Sequence, residues 1–192
     1  MKKLLYSLCI LLAIGLVSKP AQAQSSIDFG IRGGLNFANL NDTDLDTDSR
    51  TGFMVGVYAN YLIPNSPVSI QPEVLYTQKG FEYGDATAKL GYIEIPVLAK
   101  FDWVMDGNIT PHVYFGPYIG FNVSAEAEGP QGDVDVDIED TVNTTDFGVI
   151  VGAGVDVNRF NVGVRYGAGL TEVADNIDGK NGVLSIVAGV SF

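Results

Sequence analysis

Apolar and polar residues alternate with a period of two through most of the chain. In the first such run, Ile27, Phe29 and Ile31 share one face, while Asp28 and Arg32 share the other. This period is typical of β-strands, whose successive side chains point to opposite faces. Eight runs follow it, at residues 27–37, 53–61, 68–79, 92–101, 112–123, 146–156, 160–170 and 184–192. The pattern therefore predicts an all-β protein with eight strands.

The first 23 residues break this pattern and have the organisation of an export signal. Lys2 and Lys3 precede an apolar run, and Ala21 and Ala23 are the small residues of an A-x-A cleavage site. The apolar run is shorter than the ~20 residues of a spanning helix, which disfavours a membrane anchor. We therefore expect residues 1–23 to be a cleaved signal peptide.

The remaining chain, residues 24–192, is expected to form one domain that is strongly acidic. Three of the 11 Lys and Arg residues precede residue 24, which leaves 8 against 23 Asp and Glu. Nucleic-acid binding requires a basic surface, so this charge excludes nucleic acid as a partner. The single cysteine, Cys9, lies in the signal segment, so the mature chain has no disulfide.

The connections between the runs differ in length. Residues 63–67 and 158–159 form tight connections, whereas four others, among them residues 39–51 and 125–144, are expected to be long and acidic. An even number of strands of about ten residues, with short turns at one end and long loops at the other, is typical of bacterial outer-membrane proteins. The sequence therefore predicts an eight-stranded antiparallel up-and-down transmembrane β-barrel.

The apolar face of this barrel is expected to point outward. A soluble barrel of the lipocalin type would place it inward. However, about forty mostly bulky apolar side chains cannot fit inside eight strands, whose interior is barely wide enough for side chains to fill. The opposite face carries charges, tyrosines and most strand glycines, which suits a narrow polar lumen. Three prolines inside predicted strands require bulges or local fraying, because proline cannot donate to the ladder: Pro72, Pro96 and Pro117.

The inward face carries nearly balanced charges. They are Arg32, Lys79, Lys100 and Arg165 against Asp28, Glu73, Glu94, Asp146 and Asp156. Opposite charges in a narrow lumen favour a structural network over a wide hydrated pore. We predict a lumen network formed by Arg32, Glu73, Glu94, Lys100 and Arg165, in which Glu73 and Glu94 bond to Arg32 or Arg165 and block the lumen. A gated proton or ion path is the alternative.

Several segments resemble a known family. The runs Ser69–Gly80 (SIQPEVLYTQKG) and Gly91–Lys100 (GYIEIPVLAK) resemble the small porin-like outer-membrane β-barrels of Bacteroidetes, the PorT-like group, as do residues 148–155 and 164–170. The terminal Phe192 looks like the assembly signal of such barrels. The resemblance implies an eight-stranded barrel, similar in shape to OmpX and OmpA, in a Gram-negative outer membrane. It also implies contact with lipopolysaccharide and the barrel-assembly machinery, and one branch of the family serves a secretion machine.

Catalytic and metal-binding motifs are weak. His112 is the only histidine and has no histidine or cysteine partner for a metal. As the base of a lipid-modifying hydrolase it would need a nucleophile, but the residue two positions on is Tyr114. The acidic segments 42–48 and 133–139 lack the glycine that a calcium loop has at its sixth position. We expect no catalytic, cofactor or metal site. Weak divalent binding by these loops, and a hairpin in the second, stay open.

These observations together predict an exported outer-membrane protein that is not an enzyme. Its expected role is structural or interactive, through acidic extracellular loops above a lumen plugged by polar side chains. A narrow channel for ions or small solutes and an accessory of a secretion machine are alternatives. A lipid A-modifying enzyme is disfavoured, because His112 lies near the turn end of its strand.

Overall fold

The computed structural model describes residues 27–43, 47–84, 86–103, 105, 107–129, 135–137, 142–174 and 177–192. These residues form nine β-strands, and no helix among them has the length and apolar character needed to cross a membrane. The strands are β1 (Ile27–Asn41), β2 (Asp48–Leu62), β3 (Val68–Tyr83), β4 (Ala86–Asp102), β5 (Ile109–Glu128), β6 (Asp135–Asp137), β7 (Thr145–Val157), β8 (Phe160–Ala174) and β9 (Ile177–Ser191). The expected signal peptide, with Ala21 and Ala23, lies outside the described residues, and its cleavage stays a prediction.

The eight long strands close into a barrel in which all neighbours are antiparallel. Strand β1 pairs with both β2 and β9, each further strand pairs with the next long strand in the chain, and β4 pairs with β5 to complete the ring. A closed ring has no open edge, so the backbone groups of every long strand face a partner strand. The predicted eight-stranded antiparallel up-and-down barrel is confirmed.

The two ends of the barrel carry different connections. The terminal end holds residues 27 and 192 and the connections 63–67, 103–108 and 158–159; the loop end holds the connections 42–47, 84–85, 129–144 and 175–176. The expectation of four long connections at the loop end is wrong. Two of them span only two residues each, because β3 and β4 continue to pair up to Tyr83 and Ala86, and β8 and β9 up to Ala174 and Ile177.

The longest connection contains the short strand β6. Asp137 lies opposite Glu126 and Asp135 lies opposite Glu128, so β6 extends the β5 ladder beyond the barrel ring. In its described part, the acidic segment 133–139 therefore pairs with β5 as the hairpin that its alternating sequence left open. Its other residues, and residues 44–46 of the first acidic segment, lie outside the described part of the chain.

The three strand prolines are accommodated by gaps in the ladder rather than by bulges. In β4–β5, Pro96 lies opposite Tyr118 and Ala99 opposite Phe115, so the register is unchanged across Pro117 although the pairs between them are missing. The β2–β3 and β3–β4 ladders have equivalent gaps at the positions of Pro72 and Pro96. The expectation of local disruption is confirmed, in the form of fraying.

The barrel exposes its apolar face and buries its polar one. The outward Phe115 and Leu170 are 66% and 62% exposed, whereas the inward Asn36 and Glu73 are 0% and 1% exposed. This inversion of the usual arrangement of a soluble protein matches a barrel that is surrounded by lipid and filled with polar side chains. The core of the protein is therefore the lumen, in which polar and charged side chains pack beside apolar ones such as Leu75 and Leu98.

Candidate functional site in the barrel interior

All five residues of the predicted lumen network point into the barrel and are buried. They come from four strands, and each lies on the face that the alternation assigned to the interior. They are Arg32 on β1, Glu73 on β3, Glu94 and Lys100 on β4, and Arg165 on β8. The closed ring brings these strands around one narrow lumen, in which their charged groups can meet across the barrel.

Glycines on neighbouring strands make room for the large charged side chains. Arg32 lies between Gly56 on β2 and Gly189 on β9, and Arg165 lies opposite Gly152 on β7. A Cβ atom at Gly152 would lie 2.5 Å from the ring of Tyr114, and one at Gly189 would lie 2.7 Å from the backbone oxygen of Ile31. These inward glycines therefore stand where the crowded lumen has no space for a further side chain.

Glu73 is at the centre of the network. Arg32 Nη1 contacts its Oε1, and Arg165 Nη1 donates to its Oε2 at 3.0 Å. The side-chain amide of Gln71 also donates to Oε1, at 2.6 Å. Glu73 thus joins the two arginines, and its charge is satisfied by three donors although its side chain has no solvent exposure.

From Arg165 the ion pairs continue toward the loop end. Arg165 Nη2 lies 3.9 Å from Glu94 Oε1, Lys79 Nζ lies 2.7 Å from Glu94 Oε2, and Lys79 Nζ lies 3.0 Å from Asp146 Oδ2. No side chain in this row is more than 5% exposed. We call the row the six-charge chain: Arg32, Glu73, Arg165, Glu94, Lys79 and Asp146. Its signs alternate and its three positive charges balance its three negative ones.

Asp146 closes the chain within a polar cage. Tyr118 Oη donates to its carboxylate at 3.2 Å, Asn181 Nδ2 at 3.0 Å and Thr171 Oγ1 at 3.1 Å. The ammonium group of Lys79 lies 4.4 Å from the centre of the Tyr118 ring, which stabilises its charge further. The predicted network omitted Lys79 and Asp146, although both stand on the inward face of the sequence pattern.

Aromatic and sulfur groups surround the two arginines. The guanidinium carbon of Arg32 lies 4.9 Å from the centre of the Tyr58 ring and 5.8 Å from that of Tyr114. Arg165 Nη2 lies 3.1 Å from Met54 Sδ. These contacts fill the space beside the ion pairs, so the lumen is packed at this height.

Lys100 lies apart from the chain that it was expected to join. Its ammonium group is 2.6 Å from Asp156 Oδ2 and 2.9 Å from Asp102 Oδ1. Lys100 lies six positions after Glu94 in β4, which is roughly 20 Å of strand at about 3.3 Å per residue. Lys100 therefore belongs to a second ion cluster near the terminal end.

His112 belongs to this second cluster. Its Nδ1 lies 3.2 Å from Asp156 Oδ2, and donor atoms of Asp102, His112 and Asp156 lie within 4.8 Å of one another. The expectation that His112 has no metal-binding partner is therefore corrected, because two carboxylates lie beside it. However, the Lys100 ammonium group already pairs with both carboxylates and balances one of their two charges. The described contacts of His112 thus complete an ion cluster rather than a catalytic triad.

An apolar cluster closes the interior at the loop end, above Asp146. Its buried members come from four strands, and two partly buried side chains pack against them. We call it the apolar cap: Leu40, Leu90, Tyr92, Ala125 and Val173, with Phe81 and Val142. This cluster was not predicted, because Leu40 and Leu90 lie beyond the ends of the alternating runs and the bulge beside Tyr92 turns Ala125 to the inward face.

The comparisons with known proteins agree with this architecture. The family model of the outer membrane protein β-barrel domain matches residues 21–175. The crystal structure of Neisserial surface protein A superposes with a TM-score of 0.56 and 20% identity, covering 89% of this chain and 100% of that one. The outer membrane enzyme PagL superposes with a TM-score of 0.53 and 15% identity, covering 84% and 98%. At these identities the likeness shows a shared fold alone. No curated protein sequence gives a significant match.

Proposed function

The chain belongs to the outer membrane protein β-barrel domain family, and from this premise we propose that it resides in the outer membrane as a closed barrel. Its role is structural or interactive and is carried by its acidic loop end, which faces outside the cell. Sixteen of the 23 acidic residues fall in the segments 42–48, 82–85, 126–140 and 172–178, all of which are in or beside loop-end connections.

The six-charge chain is the observation that carries this proposal. It crosses the lumen from β1 through β3, β8 and β4 to β7, and every charge in it has a partner of opposite sign. A hydrated pore leaves its charged lining in contact with water, whereas these side chains are almost fully shielded from solvent. The apolar cap adds a second barrier above the chain. A lumen with both features supports no flow of solute.

Liposome swelling tests the closed lumen with small solutes. Vesicles that contain the folded protein are expected to swell in isotonic arabinose no faster than protein-free vesicles. A matched variant, Tyr118→Ala with Lys79→Ala, removes two bulky groups at one height and provides the control for a partly opened lumen. Rapid swelling with the wild-type protein would contradict the proposal and favour the alternative of a narrow solute channel.

The interactive role is tested by comparing partners at the loop end. Affinity capture from crosslinked native outer membranes is expected to recover the same partners with the wild-type chain and with a variant changed at residues 158–159, at the opposite end. A variant that lacks residues 130–141 is expected to lose them. Equal capture by all three proteins would contradict a role for the longest loop-end connection.

A finer family assignment supports one specific partner class. The runs Ser69–Gly80 and Gly91–Lys100 resemble the PorT-like group, one branch of which serves a secretion machine. The alternative is therefore that this chain is an accessory of such a machine. Co-purification with other secretion components from native membranes would favour this alternative over a stand-alone barrel.

We propose no enzymatic activity. His112, the only histidine, lies in the ion cluster at the terminal end with Asp156 and Lys100. This end faces the periplasm in the proposed orientation, away from the lipid A leaflet. Overexpression is therefore expected to leave the masses of lipid A species unchanged, and a new lipid A mass that disappears in His112→Gln would contradict this part of the proposal.

A further inference from the structure

A small polar pocket lies on the outer surface of the barrel near the loop end. It has a volume of about 130 Å³ and lies over strands β2 to β5. We call it the rim pocket, and its polar side chains are Arg50, Tyr76, Gln78, Lys89, Ser124 and Glu126. Tyr76 and Gln78 share the outward face of β3 with the exposed Val74, so the pocket opens toward the surroundings of the barrel and not into the lumen.

The pocket exists because of Gly91 and the neighbouring bulge. The register of β4–β5 shifts between Gly91 and Tyr92, which brings Ser124 opposite Gly91 and turns its hydroxyl outward. A Cβ atom at Gly91 would overlap Ser124 Oγ and would lie 3.0 Å from Tyr76 Oη. The missing side chain therefore leaves a notch into which two hydroxyl groups point.

The rim pocket marks the boundary between the apolar and acidic parts of the outer surface. Below it lie exposed apolar side chains, including Phe53 and Val123, and the Phe53 ring lies 5.8 Å from that of Tyr76. Beyond it lie Glu128 and the loop-end connections. In a transmembrane barrel, aromatic residues at the edge of the apolar band lie at the level of the lipid headgroups.

The distribution of positive charge is the strongest reason to assign a ligand. Eight Lys and Arg residues follow residue 23, and four of them lie inside the barrel. Arg159 is in a terminal-end connection, and Lys180 bonds to Asp42 at 3.0 Å. The remaining two, Arg50 and Lys89, both line the rim pocket. On a chain of net charge −12, the rim pocket thus brings together two cations that an anionic ligand can contact.

The two cations are positioned for that partner. Arg50 Nη1 donates to the backbone oxygen of Lys79 at 2.8 Å, which anchors one side of a guanidinium that has five N–H donors. Lys89 pairs with Glu128 at 2.6 Å, with both side chains one-third exposed. An exposed pair of this kind is weak, so the ammonium group can turn toward a stronger anion.

We infer that the rim pocket binds the phosphate group of an outer-leaflet lipid headgroup. Arginine and lysine with hydroxyl donors are the side chains that recognise phosphate, and the pocket lies at headgroup level. Glu126 is the one carboxylate in the lining, and Glu128 beside it pairs with Lys89, so a bound phosphate would replace Glu128 as the partner of Lys89. The inference rests on the proposed outer-membrane location but adds a specific lipid contact to it.

Native mass spectrometry of the folded mature protein in detergent tests the inference. The probes are lipid A with two phosphates, dephosphorylated lipid A, and inorganic phosphate. The wild-type protein is expected to bind the phosphorylated lipid at least tenfold more tightly than the dephosphorylated one. Arg50→Gln with Lys89→Gln is expected to remove this preference, whereas Glu126→Gln is expected to retain or strengthen it.

A matched pair of substitutions controls for overall charge. Arg159→Gln with Lys180→Gln removes the same two charges outside the pocket and is expected to leave the preference within twofold. An equal loss of the preference for phosphorylated lipid A in both double variants would overturn the inference. Competition by millimolar inorganic phosphate would also overturn it, because that result indicates a free-anion site. Loss of binding in Glu126→Gln would also overturn it, because that result indicates a bridging metal ion.

Failure of this inference differs from failure of the proposed function. All variants are first required to show the heat-dependent mobility of a folded barrel. If the folded protein shows no preference for phosphorylated lipid A, only the inference of phosphate binding at the rim pocket is refuted. The closed lumen is tested separately, by the liposome swelling assay.

Discussion

Glu73 binds an arginine with each of its two carboxylate oxygens. Oε1 contacts Arg32, and Oε2 lies 3.0 Å from Nη1 of Arg165. These residues lie on β3, β1 and β8, none of which is a neighbour of another in the barrel ring. The contact therefore spans the lumen and cannot arise from adjacent strands. It joins opposite walls of the barrel through charges that have no access to water, so its loss is costly.

Arg165→Ala is expected to destabilise the barrel by roughly 3–5 kcal/mol, because it leaves Glu73 and Glu94 with fewer buried partners. Urea unfolding in lipid vesicles, followed by the fluorescence of Trp103, the single tryptophan, measures the change. Arg159→Ala, in the connection 158–159, is the control and is expected to cost less than about 0.5 kcal/mol. Equal decreases in the free energy of unfolding from both substitutions would show that the contact between Arg165 and Glu73 makes no specific contribution to stability.

Two double-mutant cycles test whether Glu94 interacts with Lys79, a member of the six-charge chain, or with Lys100, which lies outside it. Lys79→Gln and Glu94→Gln are expected to couple by about 0.5–3 kcal/mol, because their charged groups lie 2.7 Å apart. Lys100→Gln and Glu94→Gln are expected to be additive within about 0.5 kcal/mol, because Lys100 pairs with Asp156 instead. Coupling of Glu94 to Lys100 in place of Lys79 would contradict the described arrangement.

The alternation of the sequence was sufficient to predict the barrel and the face on which each charge lies. Lys79 and Lys100 could both be placed in the lumen, because the period-two pattern fixes the direction of a side chain. The pattern does not fix the height of a side chain relative to those on other strands. That height depends on register, which the bulges beside Tyr92 and between Ser49 and Met54 shift by one residue. The pattern therefore did not show that Glu94 pairs with Lys79 as well as with the predicted Arg165.

The ends of the barrel were harder to predict for a related reason. The apolar cap needs inward apolar residues such as Leu40 and Leu90, which lie beyond the alternating runs that end at residue 37 and begin at residue 92. The connection between β3 and β4 was expected to be long, because the alternating runs end at residue 79 and begin again at residue 92. Strand pairing continues through the polar residues between these runs, above the apolar band, where water can solvate them.

Leu90→Ala is expected to destabilise the barrel by about 2–5 kcal/mol, because Leu90 is 2% exposed and fills the apolar cap. Leu170→Ala removes the same atoms from the outward face, where the side chain is 62% exposed and lipid can fill the space. It is expected to cost less than half as much in the same unfolding assay. A larger loss for Leu170→Ala would indicate that the cap is loosely packed.

Two glycines provide a steric test of the packed lumen. A Cβ atom at Gly152 would lie 2.5 Å from the ring of Tyr114, which is itself buried beneath Arg32, so Gly152→Ala is expected to cost about 1–3 kcal/mol. At Gly167 the nearest atom would be 3.8 Å away, so Gly167→Ala is expected to be neutral or slightly stabilising. The reverse order of stabilities would contradict the described contact between β7 and Tyr114.

Deletion of Phe192 tests the predicted assembly signal. Phe192 follows β9, and its backbone N–H donates to the carbonyl oxygen of Phe29 at 2.8 Å, while its side chain is 72% exposed. The exposed ring is available to the assembly machinery, so we expect the truncated chain to accumulate in the periplasm. Phe192→Tyr keeps an aromatic ring and is expected to assemble. Wild-type levels of heat-modifiable, membrane-embedded protein after deletion would refute the signal.

Single-channel recording in planar bilayers tests the closed lumen most directly. The wild-type protein inserts as a folded barrel but is expected to give no steady conductance, because the six-charge chain and the apolar cap fill the lumen. Removing side chains from both layers, as in Arg165→Ala with Leu90→Ala, is expected to produce measurable current. A large, steady conductance from the wild-type protein would contradict the account.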